Sequence, residues 1–179
     1  MNEYYKLYSS APQDPRQKKE ADVYELLESL QIPYQRMDHP EAMTIEACDE
    51  ISSTFGTPMC KNLFLCNRQK TDFYLLLMPG DKPFKTKDLS KQIDSARLSF
   101  ADAAYMEEYL NITPGSVSVM GLMNDTENQV RLLIDKDLLE KEYIAFHPCV
   151  NTSSIKASTS DILTKFLPKV HHTYTVVSL

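Results

Sequence analysis

The sequence predicts a mixed α/β (α+β) domain: a curled sheet or partial barrel of six to seven strands, with about five helices outside it. Leu63–Cys66 and Phe73–Met78 are unbroken apolar runs, which read as strands buried on both faces. Val23, Leu26, Leu27 and Leu30 follow the i, i+3, i+4, i+7 stripe of a helix with one buried face. Hairpin-length connections alternate with helical crossovers, which calls for a mixed sheet.

Residues 1–15 carry Pro12 and Pro15 and no periodicity, so they read as an irregular arm before one domain over 16–179. The first helix spans Arg16–Gln31 and stops at Pro33. Tyr34–Asp38 is a short strand, ended by His39-Pro40. Thr44 is positioned to cap a second helix whose Ala47, Ile51 and Phe55 share a face, with Gly56 and Pro58 closing it. Cys60–Cys66 and Phe73–Met78 then pair as an antiparallel hairpin across the polar turn Asn67–Asp72. After the Pro79-Gly80-Asp81 turn, Thr86 caps a helix running to about Asp94. Ser99–Asp102 has the form of a capping box for a helix that buries Ala103, Met106 and Leu110. Ser116–Met120, Val130–Ile134 and Tyr143–Phe146 read as strands, Lys136–Lys141 as a single helical turn. Ser158 with Asp161 caps a last helix, and Tyr174–Val177 supplies an edge strand.

With 179 residues the chain can bury one sizeable core. It has no apolar run near the ~18 residues of a membrane span, and its start lacks a secretory pattern, so a cytoplasmic protein is expected. The net charge of −6 argues against broad, non-specific nucleic-acid binding. A local basic patch at Lys82, Lys85, Lys87, Lys91 and Arg97 is diluted by Asp81, Asp88 and Asp94; it reads either as a solvated mixed face or as a binding surface. The four cysteines have no zinc-site spacing and read as reduced thiols, so no metal or cofactor is expected. Four glycines cannot build a phosphate loop.

The chain has no Gly-x-Ser-x-Gly elbow and no His-Glu-x-x-His. A cysteine nucleophile, Cys60 or Cys149 with His147, is conceivable, but Cys149 follows His147 too closely to be its ideal partner. What remains is polar residues at strand ends. Lys61 opens one strand, His147 closes another, Gly115 and Gly121 bracket a third, and Asn151-Thr152 begin a fourth. Each has an ordinary reading: a solvated lysine, a hydrogen-bonded histidine, turn glycines. If the ends share one rim they form one crevice, and spacing alone does not decide it.

Lys61-Asn62-Leu63-Phe64-Leu65, Gly115-Ser116-Val117-Ser118 with Gly121-Leu122, and Phe146-His147-Pro148 with Asn151-Thr152 resemble the signature segments of the YbaK/ProX-like aminoacyl-tRNA editing family. Met43–Ala47 and Leu98–Ala101 resemble two further family segments, and the similarity runs from about residue 17 to 168. The subgroup it resembles most is the free-standing, PrdX-like prolyl-tRNA editing proteins, related to the editing insertion domain of bacterial prolyl-tRNA synthetases. The resemblance implies hydrolysis of mischarged tRNA(Pro), most often alanyl-tRNA(Pro), with cysteinyl-tRNA(Pro) as the main rival and a non-catalytic binding module as the alternative of another class. It implies tRNA(Pro) as partner, with prolyl-tRNA synthetase as a second candidate. In this reading Lys61 holds the terminal adenosine and Asn62 assists it. Thr44 and His147 line the amino-acid pocket, with Asn151 beside them. Gly115 to Gly121 packs against the acyl group, and amides around Gly115 and Ser118 serve as oxyanion donors. Family members commonly carry Pro and an aromatic where this chain has Val119 and Met120, a departure that bears on loop rigidity and amino-acid choice.

Overall fold

The computed structural model describes residues 3–41 and 45–179, with the side chain of Ile45 left out. The helix α1 (Lys18–Ser29) leads to β1 (Tyr34–Asp38), α2 (Ile45–Phe55) and the hairpin β2 (Cys60–Asn67) and β3 (Phe73–Pro79). Next come α3 (Thr86–Gln92), β4 (Leu98–Phe100), α4 (Ala103–Leu110) and a 3-10 helix, Val119–Asn124. The chain continues through β5 (Val130–Asp135), α5 (Lys136–Leu139), β6 (Tyr143–Phe146) and β7 (Ser153–Ser158). It ends with α6 (Thr159–Asp161), a π turn at Ile162–Phe166, α7 (Leu167–Lys169) and β8 (Tyr174–Val177).

The expected curled sheet is two sheets, of order β1-β7-β6 and β4-β2-β3-β5-β8. The hairpin pairing is antiparallel, as expected, while β3–β5 and β5–β8 are parallel. The sheets meet at one parallel bridge, Met59 to Ala145. Gly80 makes that seam possible: a Cβ there would sit 2.1 Å from the Met59 carbonyl oxygen, so any side chain would push the hairpin end off it.

All seven residues of β3 are buried, which explains its unbroken apolar run. Alternation sends Phe73, Leu75 and Leu77 into the main core, with Val23, Tyr24 and Leu27 of α1 and Phe166 of the π turn. Tyr74, Leu76 and Met78 face a second core with Leu89 of α3 and Leu133. A third cluster, Met37, Ile51, Phe55 and Ala145, seats α2.

Several local readings change. Ser116–Met120 is not a strand; it is a turn entering the 3-10 helix. Its Val119 N–H goes to a side chain rather than to a strand neighbour. Ser99 does not cap a helix. Leu98–Phe100 pairs with β2, because that edge has a free ladder, and α4 starts only at Ala103, without a side-chain cap. The α3 helix forms with no cap from Thr86, its first residue. Ser158 does cap, accepting the Asp161 N–H at 3.3 Å. Thr44 lies outside the described residues. The arm is irregular but tied down: Tyr8 bridges Arg36, and the Tyr5 N–H donates to the Asp38 carbonyl at 2.9 Å. Among the described residues, no helix is long and apolar enough to cross a membrane.

Candidate functional site

The start of β2 organises the site. Successive side chains alternate across a strand, so Asn62 shares the main-core side with Cys60 and Phe64, and Lys61 faces the other way with Leu63. The Asn62 side-chain oxygen accepts the Val119 N–H at 3.1 Å, and its amide nitrogen donates to the Cys60 carbonyl at 3.3 Å. This side chain therefore latches the 115–121 segment to the mouth of β2. Lys61 is part-buried, and its ammonium donates to the carbonyl of Lys82. Lys82 has its own partners, Asp135 at 2.7 Å and Asp137 at 2.8 Å. No carboxylate pairs with Lys61 among the described residues.

Gly115 makes an exposed turn at φ 91, which a residue with a Cβ would adopt only under strain. Beyond it the amides divide into two sets. Ser116 donates to Thr113 O, Val119 to Asn62, Met120 to Ser118 Oγ and Gly121 to Ser118 O. The N–H groups of Gly115, Val117 and Ser118 have no partner among the described residues. Ser118 is fully buried, and its hydroxyl is committed to capping the 3-10 helix. Two unspent donors thus stand next to each other on a fixed segment. Val117 is half-buried and Ser118 buried, and a backbone N–H not spent within the protein is a donor available to a ligand.

His147 follows β6. Its Nδ1 lies 2.9 Å from the Ser153 carbonyl and 3.3 Å from Ser154 Oγ. A carbonyl can only accept, so Nδ1 carries the hydrogen and Nε2 the lone pair. Burial pulls the imidazole pKa down to about 4, so the ring is neutral near pH 7. Sequence reasoning gave no role to His39, the end of the other His-Pro pair. His39 Nδ1 donates to the Pro40 carbonyl at 2.8 Å, leaving Nε2 to accept from Ser154 Oγ at 2.8 Å. The two rings lie 5.9 Å apart. The repeated His-Pro at two strand ends was the signal that could have found it.

A brace stands behind this pair. Ser153 Oγ donates to Asp38 at 2.6 Å, and Arg16 joins Asp38 and Glu20, each at 2.8 Å. Burial works to raise the Asp38 carboxyl, but the Arg16 and Ser153 hydrogen bonds hold it below its ordinary value.

The Met59–Ala145 bridge relates the two halves. Lys61 and His147 each stand two residues beyond it on parallel strands, so they mark the same end of the seam. Asn62 ties the 115–119 segment to the mouth of β2, and the bridge sets His147 at the same end of the neighbouring strand. Asn151 is part-buried in the turn between His147 and Ser153. At Gly121 a Cβ would lie 2.6 Å from Ile112 Cδ1 and 3.1 Å from Leu110 Cβ, so the glycine lets the loop pack closely on the end of α4. Burial pushes the Cys60 and Cys149 thiols up to about 12, which opposes formation of the thiolate that a cysteine nucleophile needs. Among the described residues, no group of three or more His, Cys, Asp or Glu is placed to hold a metal.

The profile of the aminoacyl-tRNA editing domain matches residues 39–165, which include Lys61, the 115–121 segment and His147. The chain belongs to the aminoacyl-tRNA editing domain family. It is 32% identical over 136 residues to the prolyl-tRNA editing protein ProX of Acetoanaerobium sticklandii, covering 76% of this chain and 83% of that one. It is 29% identical over 170 residues to the prolyl-tRNA synthetase associated domain-containing protein 1 of Danio rerio, covering 94% and 89%. A crystal structure of a candidate trans-editing enzyme for prolyl tRNA synthetase shares the fold, with a TM-score of 0.68 at 13% identity over 92% of this chain and 99% of that one.

Proposed function

We propose that the protein hydrolyses the ester of tRNA(Pro) carrying a wrong amino acid, alanine first. The observation that carries this reading is the pair of unspent amides, Val117 and Ser118, on the segment that Asn62 latches to the Lys61 strand. Water attack on an aminoacyl ester places negative charge on the former carbonyl oxygen. Fixed N–H donors aimed at that oxygen stabilise the transition state without a nucleophilic side chain. Lys61, with no carboxylate neutralising it, anchors the terminal adenosine end through a phosphate or ribose oxygen. The His147 Nε2 lone pair accepts a hydrogen from the substrate's α-ammonium group and fixes the amino acid beside the oxyanion donors. A ribose hydroxyl next to the ester helps activate the water. In this reading Asn151, together with Thr44, lines the amino-acid end, the tRNA(Pro) acceptor end is the partner, and prolyl-tRNA synthetase is a second one. The setting is the cytoplasm.

A small pocket excludes proline by size, which a steric wall does more strictly than a favourable contact can reward one methylene, worth about 1–3 kcal/mol. Val119 and Met120, which replace the family's Pro and aromatic, are fully buried in the main core. They shape the packing beneath the loop rather than its rim. The test is deacylation of alanyl-, cysteinyl- and prolyl-tRNA(Pro) by purified protein. Alanine is released fastest and proline is retained. Release of none of them removes the hydrolase reading, and a preference for cysteine reassigns the substrate.

A further inference from the structure

Apart from the site above, a cavity of about 620 Å³ lies along α3 and the turn before β4, with Lys87, Ser90, Lys91, Asp94, Ser95 and Arg97 in its lining. Lys87, Lys91 and Arg97 are exposed, and none has an ion-pair partner among the described residues. Asp94 is the one acid on the lining, so the groove carries a surplus of positive charge on a chain whose net charge is −6. Several other cations of the molecule are neutralised: Lys18 by Asp22, Lys70 by Asp102, Lys82 by two aspartates and Arg16 by three acids. The cations of α3 and Arg97 are left unpaired together.

The position of the groove is informative. The α3 helix packs its Leu89 on the face of β2 that carries Leu63 and Leu65, the face to which Lys61 also belongs. The Lys82 carbonyl that receives the Lys61 ammonium lies three residues before Lys85. At its other end the groove reaches Arg97, next to the Asn67–Leu98 pair that closes β2. Its lining runs from Thr86, four residues after the Lys82 that holds the Lys61 ammonium, to Arg97, on the α3 helix that covers the Lys61 face of β2. On the strand beside it Phe100 is 60% exposed, edge-on to Phe84, and offers an unstacked base a flat aromatic surface.

We propose that the groove walled by Lys87, Lys91 and Arg97 holds the sugar-phosphate backbone of the RNA whose 3′ end enters at Lys61. The occupant rests on the function proposed above. The groove itself rests on charge and placement: a cluster of cations without ion-pair partners among the described residues, on the helix that covers the Lys61 face of β2, suits a polyanion bound by that face. Phosphate neutralisation supplies affinity without reading sequence.

The test is direct binding, which does not depend on hydrolysis. Affinity of wild type for tRNA(Pro) is measured across a salt series beside a triple variant, Lys87→Gln, Lys91→Gln and Arg97→Gln. A control triple, Lys6→Gln, Lys136→Gln and Lys169→Gln, removes the same charge from exposed sites elsewhere. The groove variant binds at least tenfold more weakly at physiological salt. Its slope of log K against log salt is smaller by about two to three, near 0.9 for each phosphate that is no longer neutralised. The control stays close to wild type. Equal weakening in both triples, no weakening in the groove triple, or no measurable binding by wild type each overturns the proposal. A minimal aminoacyl-adenosine ester separates this result from the fate of the hydrolase reading: the groove variant cleaves it at the wild-type rate if wild type cleaves it. Failure of wild type to deacylate any substrate counts against the function and leaves the binding result to judge the groove.

Discussion

The side-chain oxygen of Asn62 accepts the Val119 N–H at 3.1 Å and joins the mouth of β2 to the segment whose Val117 and Ser118 amides have no partner among the described residues. Asn62→Ala removes the acceptor and strands that N–H. The expected cost is about 1–3 kcal/mol of stability by urea unfolding, the penalty for an unsatisfied buried donor. Deacylation falls as well, because the donors lose their fixed position. Asn62→Asp keeps an acceptor oxygen and recovers most of the stability. Equal stability of Asn62→Ala and wild type would show that the latch carries no weight.

Gly121 tests a second contact of the same segment. Gly121→Ala puts a Cβ 2.6 Å from Ile112 Cδ1. Overpacking of this kind costs about 1–3 kcal/mol. Ile112→Val deletes the offending methyl, so the double variant is less destabilised than the sum of its parts. A strictly additive double variant contradicts the packing described.

The state of His147 gives a pH prediction. Its folded pKa is about 4 because of burial, against an ordinary 6.5. Between those values the unfolded chain binds the extra proton, so stability is full above about pH 6.5 and falls as the pH drops toward 4. His39, also lowered by burial, acts in the same direction. In activity, the Nε2 lone pair persists through pH 5, so turnover shows no step near 6.5. An NMR titration that finds His147 protonating near 6.5 would refute this.

The thiols provide a negative control. Burial holds Cys60 and Cys149 at about 12, so both resist alkylation at pH 8 in the folded protein, and Cys149→Ala keeps its deacylation rate. Loss of activity in Cys149→Ala with stability intact would restore a thiol mechanism.

Most of the frame was legible because burial writes itself into periodicity. The Phe73–Met78 run is apolar because β3 is covered on both faces, and the α1 stripe is the face that meets it. What escaped depends on partners distant in sequence. Ser116–Met120 has the composition of a strand, but Asn62 takes the amide that a neighbouring strand would have taken. Ser99 and Asp102 satisfy the local rule for a cap, yet the open edge of β2 claims Leu98–Phe100. Within the site, the residue types at Lys61, Asn62 and His147 were readable. The His39–Ser154–His147 chain was not, since it joins residues 115 apart in sequence. The close packing of Gly121 was not legible either, because its position in the loop says nothing of Leu110 and Ile112 behind it.

The central claim is that Lys61 anchors an aminoacyl-tRNA beside fixed oxyanion donors. Single-turnover deacylation of alanyl-tRNA(Pro) by Lys61→Ala and by wild type tests it most directly. The variant folds normally and loses about 10²-fold in rate, the scale of a misplaced substrate. A Lys61→Ala protein that releases alanine as fast as wild type would contradict the account.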